Sequence, residues 1–237
     1  MSVASDLPFD ITDPVFDIAR PGMRSRIKHR VILVRHGESD ANVSLMSGQA
    51  IPAGQLNLSC TGHEQAQDIA KCFKKHSPVT KIESSPLLRA WDTAQPTIKL
   101  SPDATVEIFM DLREIWRNRS GQEPYECIHP IHQEPWIRYP DSIEDATQRI
   151  INNLDRWKSE GSIDNRKQTV VFTHSIMISG ILNIISGTPL GNVTFHVSNG
   201  SLTCFDIDEN DQFHVHFVNY TEHLHYTLRT GHHTSMG

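Results

Sequence analysis

Val31-Ile32-Leu33-Val34-Arg35-His36-Gly37 is the stretch whose reading decides the fold. Four consecutive apolar residues, rich in β-branched side chains, leave no polar face. They therefore predict a strand buried on both sides, as in a parallel sheet. The run stops abruptly at Arg35-His36-Gly37. Val170-Val171-Phe172 repeats the pattern, breaking at Thr173-His174-Ser175 before an apolar helical segment over 176–185.

Helices are legible between these strands. Ala66, Ile69, Ala70 and Phe73 fall on one stripe after Thr61-Gly62, with Lys71, Lys74 and Lys75 on the opposite face and in the last turn. A short strand around Lys81-Ile82-Glu83 leads to Ser84-Ser85-Pro86. There Ser85 suits an N-cap and Pro86 the first helical position. Val106 and Ile108 alternate with Glu107 in a strand that runs out at Asp111-Leu112-Arg113-Glu114. Ser142 and Asp145 resemble a capping box for a helix carrying Ile143, Ala146, Ile150, Leu154 and Trp157. Residues 202–207 and 213–218 flank Asp208-Glu209-Asn210-Asp211 as a hairpin, with His214 and His216 expected on its wet face. The fold class is α/β, a three-layer sandwich: a mostly parallel central sheet with an antiparallel edge and helices on both faces.

Residues 1–28, with acidic residues spaced among prolines and no sustained period, read as an N-terminal arm. Residues 29–237 form the α/β domain. The chain has 237 residues, 38% of them hydrophobic, enough for one substantial core. A formal net charge of -6 gives no basic field to hold nucleic acid or an anionic membrane. Four cysteines without a CxxC pair favour a reducing, cytoplasmic setting. No run approaches the ~20 apolar residues of a membrane helix. The pattern leaves the oligomeric state open.

Ligands of open α/β sheets bind beyond the carboxyl ends of the strands, where loops converge. That edge is crowded here. Arg35 and His36 follow the first strand, Arg89 lies in the first turn of the helix after the second, Glu114 follows the third, and His174 follows the fourth. Two guanidiniums offer bidentate donors matched to phosphate oxygens, and a helix start lies close by. The expected ligand is a phosphoryl group.

Arg35-His36-Gly37-Glu38-Ser39 with Asn42 resembles the signature of the histidine phosphatase superfamily, which includes cofactor-dependent phosphoglycerate mutases. Leu58-Ser59 with Gly62 and Gln65-Ala66, Ser85-Pro86-Leu87-Leu88-Arg89-Ala90 with Thr93-Ala94, Leu112-Arg113-Glu114, and Thr173-His174-Ser175 resemble its further motifs, in order. The resemblance implies that His36 is the nucleophile. It implies that Arg35, Arg89, His174 and Asn42 bind the phosphoryl oxygens, and that Glu114 is the acid and then the base. Neighbouring positive charge should disfavour protonation of His36. Asp111 is the competing acid. Ser39 is either a phosphate contact or a loop stabiliser, and Glu38 either pairs with a pocket arginine or belongs to the motif's chemistry.

The resemblance further implies a metal-independent phosphoric monoester hydrolase with no cofactor, acting on a phosphorylated small molecule or a phosphoprotein. Phosphoglycerate mutase is the first alternative. The basic residues that mutases use for the substrate carboxylate are replaced here by Ile115 and Leu45, and Gln49 follows Ser47-Gly48 where mutases carry Trp. Hydrolysis is therefore the expected outcome. The second alternative is a weakly active or inactive domain serving protein interaction. Arg117 and Arg119 are candidates for a second anionic group of the substrate, and Trp116, Trp136 and Tyr139 for a pocket mouth. Cys127, His129 and His132, like His223 and His225, match no standard zinc spacing, so no metal site is expected.

Overall fold

β1, Ile27–Arg35, is buried on both faces from His29 onward, as its apolar run requires. Val31 and Leu33 pack into one apolar cluster, Ile32 and Val34 into the other. One strand thus serves two cores. Each fully buried aliphatic side chain of this kind contributes about 1.5–3 kcal/mol. The computed structural model describes residues 26–48, 57–76, 79–115, 125–126, 136–137, 141–163 and 167–231.

Along the chain β1 is followed by α1 (Asp40–Met46), α2 (Cys60–His76), β2 (Lys81–Ser84), α3 (Leu88–Leu100) and β3 (Thr105–Ile108). A two-residue ladder, β4 (Tyr125–Glu126) with β5 (Trp136–Ile137), stands apart from the main sheet. Then come α4 (Ile143–Glu160), β6 (Lys167–Thr173), α5 (Ser175–Ile185), β7 (Leu202–Asp208) and β8 (Phe213–Tyr220). The six-stranded sheet has the order β3-β2-β6-β1-β7-β8. Its first four members are parallel, and β7 and β8 form the antiparallel edge. The expected architecture holds.

Ile69, Phe73 and Ala94, from α2 and α3, join Ile32 and Val34 over one face. Ile150, Leu154, Trp157, Ile178 and Ile181, from α4 and α5, cover the other with Val31 and Leu33. Ser142 caps α4 by accepting from the Asp145 amide at 3.0 Å and donates to the Asp145 carboxylate at 2.9 Å. No helix among the described residues is long and apolar enough to cross a membrane.

Three local expectations need correction. The third helix begins at Leu88 rather than Pro86, and its cap residue is Leu87, with no side-chain cap. Ser85 Oγ instead accepts from the Leu87 amide at 3.2 Å in a serine turn and bonds His174 Nε2 at 2.8 Å. Ile143, the first residue of α4, lies outside the apolar stripe and is 66% exposed. In β8 the irregular register against β7 turns Val215 outward, while His214 and His216 pair with Asp208 at 3.0 Å and Asp206 at 2.8 Å. Asp206 also receives Arg30 at 2.8 and 2.9 Å. A buried carboxylate needs such donors, so the two imidazoles are partners rather than a wet face.

Candidate active site

Register brings the carboxyl ends of the parallel strands level. Arg35 stands opposite Thr173, Ser84 opposite Phe172, and Ile108 opposite Ser84. The residues that follow these positions form one cluster. His36 emerges from β1, His174 from β6, Ser85 from β2 and Glu114 beyond β3, while Arg89 lies in the first turn of α3. Arg35, His36, Arg89 and His174 are all buried.

The His36 tautomer follows from its partners. Its Nδ1 lies 2.6 Å from the Gly37 carbonyl, which can only accept, so Nδ1 carries the hydrogen. Arg89 Nε donates to His36 Nε2 at 3.2 Å, so Nε2 presents its lone pair. The amide of His36 is held by the Thr173 carbonyl at 2.9 Å, and the His174 ring sits 5.2 Å away, centroid to centroid. Burial, then Arg89 and Arg35, holds His36 well below the ordinary histidine value against the opposing bond to Gly37. The imidazole is a neutral base aimed at a cationic wall.

Arg35 is pushed down to about 10, chiefly by burial, with Glu114 opposing and Arg89 adding to the shift. Arg35 Nη1 donates to the Val197 carbonyl at 2.6 Å, and Arg35 Nε is buried with no hydrogen-bond partner among the described residues. An uncompensated buried guanidinium donor is costly unless an anion completes it. The cluster carries cationic donors of the kind that bind an anion.

The turn after His36 is locked from three sides. The Gly37 amide donates to Thr93 Oγ1 at 2.9 Å, and Thr93 Oγ1 donates to the Arg89 carbonyl at 2.6 Å, tying the loop to α3. The Glu38 amide donates to Gln65 Oε1 at 2.7 Å, and Ser59 Oγ donates to the Glu38 carboxylate at 2.7 Å. Glu38 therefore pairs with a serine, and no arginine ion pair to it occurs among the described residues. Ser39 caps α1, accepting from the Asn42 amide at 3.3 Å while its hydroxyl donates to Asn42 Oδ1 at 3.0 Å. Of its two expected roles, this geometry favours loop stabilisation.

Gly62 closes the back of the turn. A Cβ there would stand 2.0 Å from the Glu38 carbonyl oxygen, and one on Gly37 would stand 2.6 Å from that of Gly62. Glycine inside a helix ordinarily costs about 1 kcal/mol relative to alanine. Contact with rigid backbone reverses the sign here. Gly62→Ala is expected to destabilise the protein by about 1–3 kcal/mol, read as a lower urea midpoint at unchanged slope.

Glu114 Oε1 accepts from the Ile115 amide at 3.0 Å and the Met177 amide at 3.1 Å, the latter in the first turn of α5. Ser175 Oγ approaches Oε2 at 3.5 Å. Asp111 faces another way: Asn152 Nδ2 donates to its carboxylate at 3.1 Å, so it is tied to α4. Of the two acids, Glu114 is the one oriented by the strand-end cluster.

The sequence model of the histidine phosphatase superfamily (branch 1) matches residues 31–221. The chain belongs to that superfamily. Solved structures of similar fold include a phosphoserine phosphatase from Entamoeba histolytica (22% identity, TM-score 0.60, covering 83% of this chain and 100% of that one). An alpha-ribazole phosphatase from Shigella flexneri shares 21% identity at a TM-score of 0.60, over 81% of this chain and 96% of that one. A mycobacterial glucosyl-3-phosphoglycerate phosphatase, complexed with VO3, shares 21% at 0.58, over 81% and 99%. No curated protein sequence matches the chain.

Within this superfamily member several contacts at the site, some of them made by residues of the quoted motifs, were not expected from sequence. Asn199 and Gly200, in the loop before β7, both donate to the His36 carbonyl, at 3.4 and 3.2 Å. Ser85 holds His174, although its hydroxyl reads from sequence as a helix cap. Gln65 joins the Glu38 amide to the C-terminal segment, donating to the Leu228 carbonyl at 2.6 Å and Thr230 Oγ1 at 3.1 Å. Contacts between segments so distant in sequence leave no local pattern.

Trp116, Arg117, Arg119, Cys127, His129, His132 and Tyr139 lie outside the described residues, as do Gln49 and the side chains of Leu45 and Trp136. His223 bonds the Gly200 carbonyl at 3.0 Å and His225 bonds Thr227 at 2.8 Å. Glu83, Glu107 and Glu160 gather their carboxylates closely, but Lys81 Nζ lies 3.0, 2.9 and 2.6 Å from them and fills the position a cation would take.

Proposed function

We propose that this chain is a phosphatase that hydrolyses phosphate monoesters in two steps through His36. In the first, His36 Nε2 forms a bond to phosphorus as the bond to the ester oxygen breaks, and Glu114 gives that oxygen a proton. In the second, Glu114, now a carboxylate, takes a proton from water as its oxygen displaces the imidazole. Arg35, Arg89, His174 and Asn42 carry the charge on the phosphoryl oxygens in a loose, in-line transition state. The chemistry written this way draws its positive charge from arginine and needs no metal or cofactor. The observation that carries the reading is the fixed tautomer of His36, with Nε2 beside the Arg89 guanidinium.

Hydrolysis is favoured over a mutase reaction because Ile115, where mutases place a cation, is 3% exposed within the apolar cluster under α4 and α5. The proposed substrate is a phosphorylated small molecule, as the names of the similar phosphatases suggest, or a phosphoprotein. No disulfide joins Cys60, Cys72 or Cys204 among the described residues, which suits a reducing compartment.

Rapid quenching after mixing with a labelled phosphate ester tests the reading: the protein is expected to carry acid-labile, base-stable phosphate that chases into inorganic phosphate. Absence of such a species, with turnover intact, overturns it. The pH dependence offers a second check. Protonated His36 has no lone pair at Nε2, and its pKa lies well below 6.5. As pH falls through 6.5, kcat/KM is expected not to show the loss that titration of an ordinary histidine nucleophile would cause. A fall governed by a group near 6.5 whose position does not move when esters of different second ionisation are compared contradicts this.

A further inference from the structure

We propose that Asn199 is a positioning residue that fixes the carboxamide of Asn42 so that its NH2 group, and not its oxygen, faces the phosphoryl group. The inference rests on the phosphate-site reading above.

An asparagine amide can present either prong, and only the NH2 prong attracts an anion. The oxygen of Asn42 is committed on the inner side. It accepts from the Ser39 amide at 3.1 Å, from Ser39 Oγ at 3.0 Å and from Asn199 Nδ2 at 3.0 Å. These donors saturate the carbonyl. Asn42 Nδ2 has no acceptor among the described residues, so none of them competes with a ligand for its hydrogens.

The Ser39 amide only donates and shares in fixing this sense, whereas the Ser39 hydroxyl can hold Asn42 in either sense, because it both donates and accepts. Asn199 cannot. It is fully buried, and its Nδ2 donates both to Asn42 Oδ1 and to the His36 carbonyl at 3.4 Å, so the two hydrogens of that NH2 face two oxygens. Turning the Asn199 amide over would set oxygen against oxygen at both places. The backbone around it is equally constrained. The Asn199 amide donates to the Thr230 carbonyl at 3.2 Å, Gly200 takes a positive φ of 67° and donates to the His36 carbonyl at 3.2 Å, and the Arg35 amide donates to the Ser201 carbonyl at 3.1 Å. A Cβ on Gly231 would meet Asn199 Oδ1 at 2.6 Å and Arg35 Nη1 at 3.1 Å, so the C-terminal segment packs directly behind this unit. One short loop thus joins the nucleophile's carbonyl to the proposed phosphate donor.

A double-mutant cycle read by competitive inhibition with inorganic phosphate tests the proposal. Asn42→Ala and Asn199→Ala are each expected to weaken phosphate inhibition and lower kcat/KM by about tenfold. Asn199→Ala should add nothing in the Asn42→Ala background, because its effect passes through Asn42. Losses that multiply in the double variant overturn the proposal, since a general structural role would act whatever stands at position 42. Asn199→Leu keeps the volume without the donors and serves if alanine collapses the loop, with the same outcomes expected. Asn42→Ala with undiminished phosphate inhibition overturns the proposal without any variant at 199. His36→Ala, run alongside, separates this from the phosphohistidine reading: inorganic phosphate binding to that variant, read by calorimetry, reports the anion site, and its loss of turnover reports the nucleophile.

Discussion

Replacing His36 with alanine is expected to lower turnover of p-nitrophenyl phosphate by about 10⁴-fold or more and to abolish acid-labile phosphate on the protein. The size follows from what the residue alone supplies. Arg35 and Arg89 would still stabilise a phosphoryl group, but no other imidazole in the cluster presents a lone pair beside Arg89 Nε as His36 Nε2 does. Water attacking directly would face the barrier that makes uncatalysed monoester hydrolysis so slow. The fold should tolerate the change, because His36 Nδ1 bonds only the carbonyl of its own neighbour, and the main-chain bonds from the Thr173 and Gly200 sides remain. Steady-state turnover, with a thermal melt to verify folding, measures the effect. A variant that folds and keeps wild-type turnover would remove His36 from the mechanism altogether.

How much of this was visible in the sequence depends on the range of each interaction. The alternation of Val31, Ile32, Leu33 and Val34 between two cores is a property of four adjacent residues, and it places Arg35 and His36 at a sheet edge without further information. The stripe of Ala66, Ile69, Ala70 and Phe73 is likewise local, and all four are buried. The hydroxyl of Ser85 suits a helix cap when only its sequence neighbours are considered, whereas its deciding partner is His174, 89 positions away. The same holds for His214 and His216: alternation assigns them a face, but the carboxylates of Asp206 and Asp208 on the neighbouring strand assign them partners. Asn199 sits in a polar Ser-Asn-Gly-Ser turn that resembles any surface loop, and only its burial between β1 and the C-terminal segment gives it meaning.

Glu114→Gln should separate proton transfer from phosphate binding. Glu114 Oε1 accepts from the Ile115 and Met177 amides at 3.0 and 3.1 Å, whereas the Ser175 hydroxyl meets Oε2 at 3.5 Å, and Oε2 is the oxygen proposed to exchange the proton. Glutamine keeps that arrangement, with its carbonyl oxygen accepting from the same two amides and its NH2 standing where Oε2 was. Shape and fold are preserved, and the acid is lost. With an alkyl phosphate, whose departing alkoxide needs a proton, the phosphorylation step is expected to slow by about 10²–10⁴-fold. With p-nitrophenyl phosphate, whose phenolate leaves unaided, the same step should lose at least about tenfold less. Single-turnover quenched flow is needed, because Glu114 also serves the water attack and steady-state rates would mix the two steps. Equal losses on both esters would mean that Glu114 does not protonate the leaving oxygen. Asp111→Asn provides the counterpart: its carboxylate is engaged by Asn152 at 3.1 Å, so both esters should react at near wild-type rates. If Asp111→Asn instead shows the leaving-group dependence, the acid is Asp111, and α4 must release it before the ester bond breaks.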